Sequence, residues 1–326
     1  MVHDGITIRS ERFEDFHEIA ELNATTFNYS SGIGEVPLIS VLRNRLTFDS
    51  ELSVVAAYEG RIVGHALFTP QLVRVGGETL KAVILAPIAV HPEFQNRGIG
   101  SKLIEEGHIR AERKGYQFSL LVGHPSYYPR FGYLNKMFGQ CCLQVQFDDL
   151  PTVSENVEER RVEQRDLKEL RSMWELWFSD TDLALEPGDS ILDWLSHGRR
   201  IQTSAIVIDG QLSGYIRYDI TTPEKLITFL AKDAPSVNAI CSYLKQKVIK
   251  SGTKSNGLMI PVHPNATPVT KLINFSFRPL VTTTPPSMIK ILDGTNASIA
   301  AYCDAVSSQH CSPGCVIWPV EFDVLP

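Results

Sequence analysis

Long apolar runs are missing from this 326-residue sequence. The longest, Ala82 to Val90, is far short of the ~20 residues a membrane-spanning helix requires. The opening stretch, MVHDGITIRSERFEDF, lacks the apolar centre of a secretion signal, so the six cysteines read as reduced thiols of a cytoplasmic protein. An excess of basic charge is missing too. Residues 1–150 carry 14 basic and 17 acidic side chains, a balance of −3, and the rest of the −6 lies beyond them. A nucleic-acid or anionic-membrane partner is therefore not expected. There is no C-x-x-C pair, and His310, Cys311 and Cys315 in the tail make too short a set for zinc, so no metal is expected. What is present, 43% hydrophobic and 21% charged residues, suits a globular chain long enough for two cores.

Hydrophobic periodicity divides the chain. Ile6 to Ser10 reads as a strand, Phe13 to Phe27 and Val36 to Leu46 as helices, with a Ser/Gly/Pro loop over 30–37 between them. Leu52 to Tyr58 and Arg61 to Val75 form a hairpin about Glu59-Gly60, and Gly76-Gly77 turns the chain into Thr79 to Val90. A helix over Ile99 to Lys114 ends at Gly115, followed by a strand at Phe118 to Val122, a short helix at Ser126 to Phe131 and a last strand at Gly139 to Phe147. Asp148 to Glu159 reads as a linker, after which the same order of elements returns. Tyr58 to Gly64 (YEGRIVG) aligns with Ile208 to Gly214 (IDGQLSG), and Val122-Gly123-His124-Pro125 with Pro261-Val262-His263-Pro264. The expected architecture is α/β (α+β): two similar domains, each a mixed, mostly antiparallel sheet flanked by helices, over 1–150 and 151–293, with a tail over 294–326.

Chemistry concentrates in Leu85 to Lys102, LAPIAVHPEFQNRGIGSK. An apolar strand ends at His91-Pro92, a polar loop follows, and Gly98 and Gly100 open a helix. Glycines at such a turn let a ligand approach the backbone, and the N–H groups of a helix start form an anion cradle. Arg97 adds a positive charge. The spacing Gln-x-x-Gly-x-Gly matches neither the dinucleotide fingerprint nor the P-loop.

Residues 1–150 resemble the GNAT family of acetyl-CoA-dependent N-acetyltransferases through Ile88 to Gly100 (IAVHPEFQNRGIG), and Gly123 to Tyr133 (GHPSYYPRFGY) is similar to a predicted bacterial branch of it. The resemblance implies acetyl-CoA as co-substrate. Its pantetheine arm would lie along the backbone of Ile88, Ala89 and Val90, in a gap where this strand splays from Phe118 to Val122. Its pyrophosphate would rest on the backbone of Gln95, Asn96, Arg97, Gly98, Ile99, Gly100 and Ser101. Tyr128, in a Tyr-x-x-x-Gly-aromatic pattern with Gly132 and Tyr133, would protonate the departing thiolate, while the adjacent Tyr127 would point elsewhere. The backbone over Leu85 to Ile88 is a candidate oxyanion site. His65 and His124 are candidates for a general base. In the second domain AKDAPSVNAI (231–240) has no such glycines, and Asp233 stands where a pyrophosphate needs positive charge, so this copy reads as non-catalytic. The expected function is acetyl transfer to a primary amine, of a small molecule or a peptide, by direct attack in a ternary complex, in a possible homodimer. The alternative is a non-catalytic acyl-CoA-binding sensor or regulatory protein.

Overall fold

A computed structural model describes residues 5–27, 32–153, 155–316, 321 and 323. Part of the loop expected at 30–37, and the end of the tail, lie outside them. The fold is mixed α/β. In chain order the elements are β1 (Ile6–Ser10), α1 (Phe16–Thr26), α2 (Val36–Arg43), β2 (Ser53–Tyr58), β3 (Arg61–Val75), β4 (Glu78–Val90), α3 (Ile99–Arg113) and β5 (Phe118–Val122). Then come β6 (Cys141–Gln146), β7 (Val157–Arg160), α4 (Leu167–Phe178), β8 (Ile201–Ile208), β9 (Gln211–Asp219), β10 (Leu226–Ala231), α5 (Ala234–Lys250), β11 (Gly257–Ile260), α6 (Thr267–Leu272), β12 (Arg278–Val281), β13 (Ser287–Ile291) and α7 (Ala297–Ser307).

Two compact units share these elements. Unit 1 comprises residues 1–72, 80–136 and 285–304, and unit 2 comprises 73–79, 137–284 and 305–326. Unit 1 is built on a six-stranded sheet of order β1-β2-β3-β4-β5-β13. Its tight turns use residues that tolerate the left-handed region: Glu59 and Gly60 stand at φ 49 and 84 between β2 and β3. Strand β2 is buried on both faces. Val54 and Ala56 join a cluster with Ile99, Leu103 and Ile104 of α3, while Val55 and Ala57 join Ile19 and Leu22 of α1 and Ile39 of α2.

The strand expected at 139–147 exists as β6, but it does not close the first sheet. It pairs antiparallel with β11 (Leu258 opposite Val145) and β12 (Leu280 opposite Cys142) in unit 2. The place beside β5 is taken by β13, with Ile289 opposite Leu120. Along the chain the units therefore alternate at 72/73, 79/80, 136/137, 284/285 and 304/305. Local periodicity identifies both segments as strands, but it does not say which distant strand each will meet. Unit 2 carries the antiparallel sheet β10-β9-β8-β7 and the three strands β11-β6-β12.

Candidate active site

The site in unit 1 begins with a divergence of strands. β4 and β5 run parallel and pair over Ala82–Phe118, Val83–Ser119 and Ile84–Leu120; past Ile84 the two strands are no longer paired with each other among the described residues. A pocket of about 780 Å³ opens there. Ile88 and Val90 of β4 line it, and alternation along the strand sends Ala89 into the cluster with α1 and α2. Ala89 can thus reach a ligand only through its backbone.

At one end the pocket meets the start of α3. Gln95 donates from Nε2 to the carbonyl of Val90 at 3.0 Å, folding the loop back on the strand end. Asn96 adopts φ 60 and Gly98, the N-cap, φ 76. A Cβ at Gly98 would meet nothing within 4 Å, so glycine serves the backbone conformation here and leaves open space before the helix N–H groups. Gly100 serves close approach instead: a Cβ there would come within 2.9 Å of the Tyr127 hydroxyl. Ile99 is buried in the core, and Ser101 lines the pocket.

The expected helix at 126–131 is a single 3-10 turn, Tyr128–Phe131. That geometry corrects one expectation. Tyr127 does not point away; it lines the pocket with Tyr128, the two rings 5.1 Å apart and nearly perpendicular. Tyr128 lies over Gly123, where a Cβ would be 2.4 Å from its Cε2. Burial, reinforced by Tyr127, pushes the Tyr128 phenol up to about 12, so it is a proton donor throughout neutral pH.

Positive charge comes from two arginines. The Arg97 guanidinium lies 5.0 Å from the centre of the Phe94 ring on the exposed loop. Arg130 lines the pocket, stacks on Tyr127 at 3.9 Å and donates to the Ser101 hydroxyl at 3.3 Å. Reading the sequence missed Tyr127, Arg130 and Gly123, and also Thr26 at the end of α1, which lines the pocket and whose buried hydroxyl has no hydrogen-bond partner among the described residues. The signal for Arg130 was its place three residues after Tyr127, where one turn brings them together.

The two histidine candidates separate. His124 is exposed and lines the pocket. His65 is fully buried in a chain of hydrogen bonds. Arg43 binds Glu11 through Nε at 3.0 Å and Nη2 at 2.8 Å, Ser53 Oγ donates to Glu11 at 2.7 Å, and His65 Nε2 lies 3.0 Å from Ser53 Oγ. Asn23 Nδ2 reaches His65 Nδ1 at 3.4 Å. Both ring nitrogens are engaged, and burial, aided by Arg43, holds the imidazole down at about 3. His65 is a structural residue, not a base for the pocket. Among the described residues no three His, Cys, Asp or Glu side chains converge as metal ligands.

A family model for the acetyltransferase (GNAT) domain matches residues 7–134. The uncharacterized N-acetyltransferase YjhQ of Escherichia coli is 36% identical over 119 residues, covering 36% of this chain and 64% of that protein. The uncharacterized N-acetyltransferase YhbS of the same organism is 36% identical over 75 residues, 23% of this chain and 44% of its own length. The chain thus spans under two thirds of either relative. In fold, a GCN5-related N-acetyltransferase from Kribbella flavida matches 89% of this chain and 72% of its own with a TM-score of 0.65 at 17% identity.

Proposed function

Through residues 7–134 the chain belongs to the GNAT family of acetyltransferases, and from that premise we propose that it transfers an acetyl group from acetyl-CoA to a primary amine by direct attack. The observation that supports this most is the pocket where splayed β4 meets the glycine-capped start of α3. The residues present fit the co-substrate. The β4 edge at Ile88 to Val90 offers backbone to an extended arm. The open N-terminus of α3, with Arg130 beside it, suits a pyrophosphate.

In this reading the pocket holds the thioester carbonyl near the β4 backbone, where Pro87 has no N–H and Ile88 is the donor that follows. The acceptor nitrogen attacks the carbonyl carbon, the C–S bond breaks, and Tyr128 gives its phenolic proton to the departing sulfur. The amine proton leaves to solvent, since His65 is sealed away. A phenol near 12 is a weaker acid than the unperturbed group, so the proton moves only as negative charge develops on sulfur.

Unit 2 is read as a copy that has lost the site. Arg160 grips Asp166 at 2.7 Å through both oxygens, as Arg9 grips Asp15 in unit 1, and Asp209-Gly210 repeats the φ values of Glu59-Gly60. Yet the start of α5 is capped by its own anion: the Asp233 carboxylate accepts from Ser236 N at 2.9 Å. The end of β10 is occupied as well, because the Trp177 indole donates to the Ala231 carbonyl at 2.7 Å.

The test is calorimetric titration of acetyl-CoA into the wild type and Gly98→Glu. Micromolar binding that the variant abolishes supports the reading, and turnover with a panel of amines then separates an enzyme from an acyl-CoA sensor. Absence of binding in the wild type would sink it.

A further inference from the structure

Behind Tyr128, inside unit 1, lies a set of polar groups that the proposed acetyl transfer does not use. Ser119 on β5, Tyr133 after the 3-10 turn and His108 on α3 are all buried. Tyr133 belongs to the apolar cluster that also holds Phe68, Leu103, Ile104 and Leu121. Apolar side chains would serve packing there. Instead the Tyr133 hydroxyl lies 2.7 Å from Ser119 Oγ and 2.9 Å from His108 Nε2. A phenol can donate to one such partner and accept from the other. Burial, aided by Lys290, holds His108 down at about 3, and burial pushes the Tyr133 phenol up, so the trio is neutral near pH 7. Buried polar groups paired in this way fix one arrangement of a core.

What they fix here is a ring beside Tyr128. Gly132, at φ 87, ends the turn that begins at Tyr128 and brings Tyr133 back toward it. The rings of Tyr128 and Tyr133 meet edge to face, with centroids 5.9 Å apart and planes at 76°. Tyr128 also rests on Gly123 and Tyr127. Tyr133 is the support that hydrogen bonds tie to both β5 and α3. β5 borders the gap beside β4, and α3 opens at the proposed cofactor cradle.

On the acetyl-transfer reading above, we propose that Tyr133 is a positioning residue that acts through its hydroxyl: Ser119 and His108 pin its ring, and that ring holds Tyr128 in place to protonate the departing sulfur. A misplacement of about 1 Å can cost about 100-fold in rate, so a modest loosening of Tyr128 is measurable.

The test follows thiol released from acetyl-CoA, with hydroxylamine as acceptor, in the wild type, Tyr133→Phe, Tyr128→Phe and the double variant. Tyr133→Phe keeps the ring and removes the pin. Its kcat falls about tenfold, while the Kd for acetyl-CoA stays at the wild-type value. In the Tyr128→Phe background the same substitution leaves kcat unchanged, because the group it positions is gone. Ser119→Ala removes one anchor with Tyr133 intact and lowers kcat in the same direction. His108→Gln, which keeps a hydrogen-bonding group, retains more activity than His108→Leu. Wild-type kcat in both Tyr133→Phe and Ser119→Ala, or an equal loss with and without the Tyr128 hydroxyl, would overturn the proposal. Absence of thiol release from the wild type, or a wild-type kcat in Tyr128→Phe alone, would instead overturn the reading of the site on which it stands.

Discussion

Tyr128 sits against the bare backbone of Gly123, which sets its position, while burial, reinforced by Tyr127, sets its acidity. Removing its hydroxyl in Tyr128→Phe should lower kcat about 100-fold or more while leaving the affinity for acetyl-CoA nearly unchanged. A loss of affinity with kcat intact would make the phenol a packing group. Because burial moves Tyr128 to about 12, its ionisation should not limit the rate up to pH 10. Burial acts in the opposite sense on His65 and His108, both held near 3, with desolvation as the main cause. Their folded pKa values lie below the unfolded value of about 6.5. Their contribution to stability is therefore present above pH 6.5 and lost as pH falls toward 3. Each should add about 1.4 kcal/mol per pH unit to the slope in that window. Urea unfolding at pH 7, 6 and 5 measures the slope, and His65→Gln should reduce it by one proton's worth. An unchanged slope in that variant would show His65 to be titrating normally.

The elements that position the pocket were largely legible before the structure. Helix α3 announces itself through Ile99, Leu103, Ile104 and Ala111 on one stripe and Gly115 past its end. The hairpin turns were legible because Glu59-Gly60 and Asp209-Gly210 fall between alternating strands. Tyr127 was misplaced because a helical period was assumed where the chain makes one 3-10 turn. The repeated Arg9–Asp15 and Arg160–Asp166 pairs escaped notice, since two residues six apart carry little signal until both are seen gripping the same turn. Gly107 in α3 makes an element-scale prediction. A Cβ there would fall 1.9 Å from Phe68 Cε2 on β3. Gly107→Ala should therefore destabilise the protein by about 1–3 kcal/mol through overpacking, despite alanine's higher helix propensity. Chemical denaturation reads this, and a more stable variant would mean that Phe68 yields without cost.

For the molecule as a whole, the proposed cradle at the start of α3 predicts one acetyl-CoA per chain. On the proposed reading, with Asp233 capping α5 and Trp177 bonded to Ala231 at the end of β10, calorimetric stoichiometry should lie near one, and Gly98→Glu should abolish it. Stoichiometry near two would restore unit 2 as a cofactor site. The exchange of β6 and β13 also fixes an order of events during synthesis. The ribosome delivers every residue named as lining the unit 1 pocket early, by Arg130. The strand that covers the outer edge of β5 emerges only after all of residues 137–284 have been made. Through that interval the nascent first sheet carries an open edge, which is where strands recruit wrong partners. A fragment ending at Lys136 would hold the pocket's residues and keep that edge exposed permanently, so the two units are bound to a shared schedule of folding.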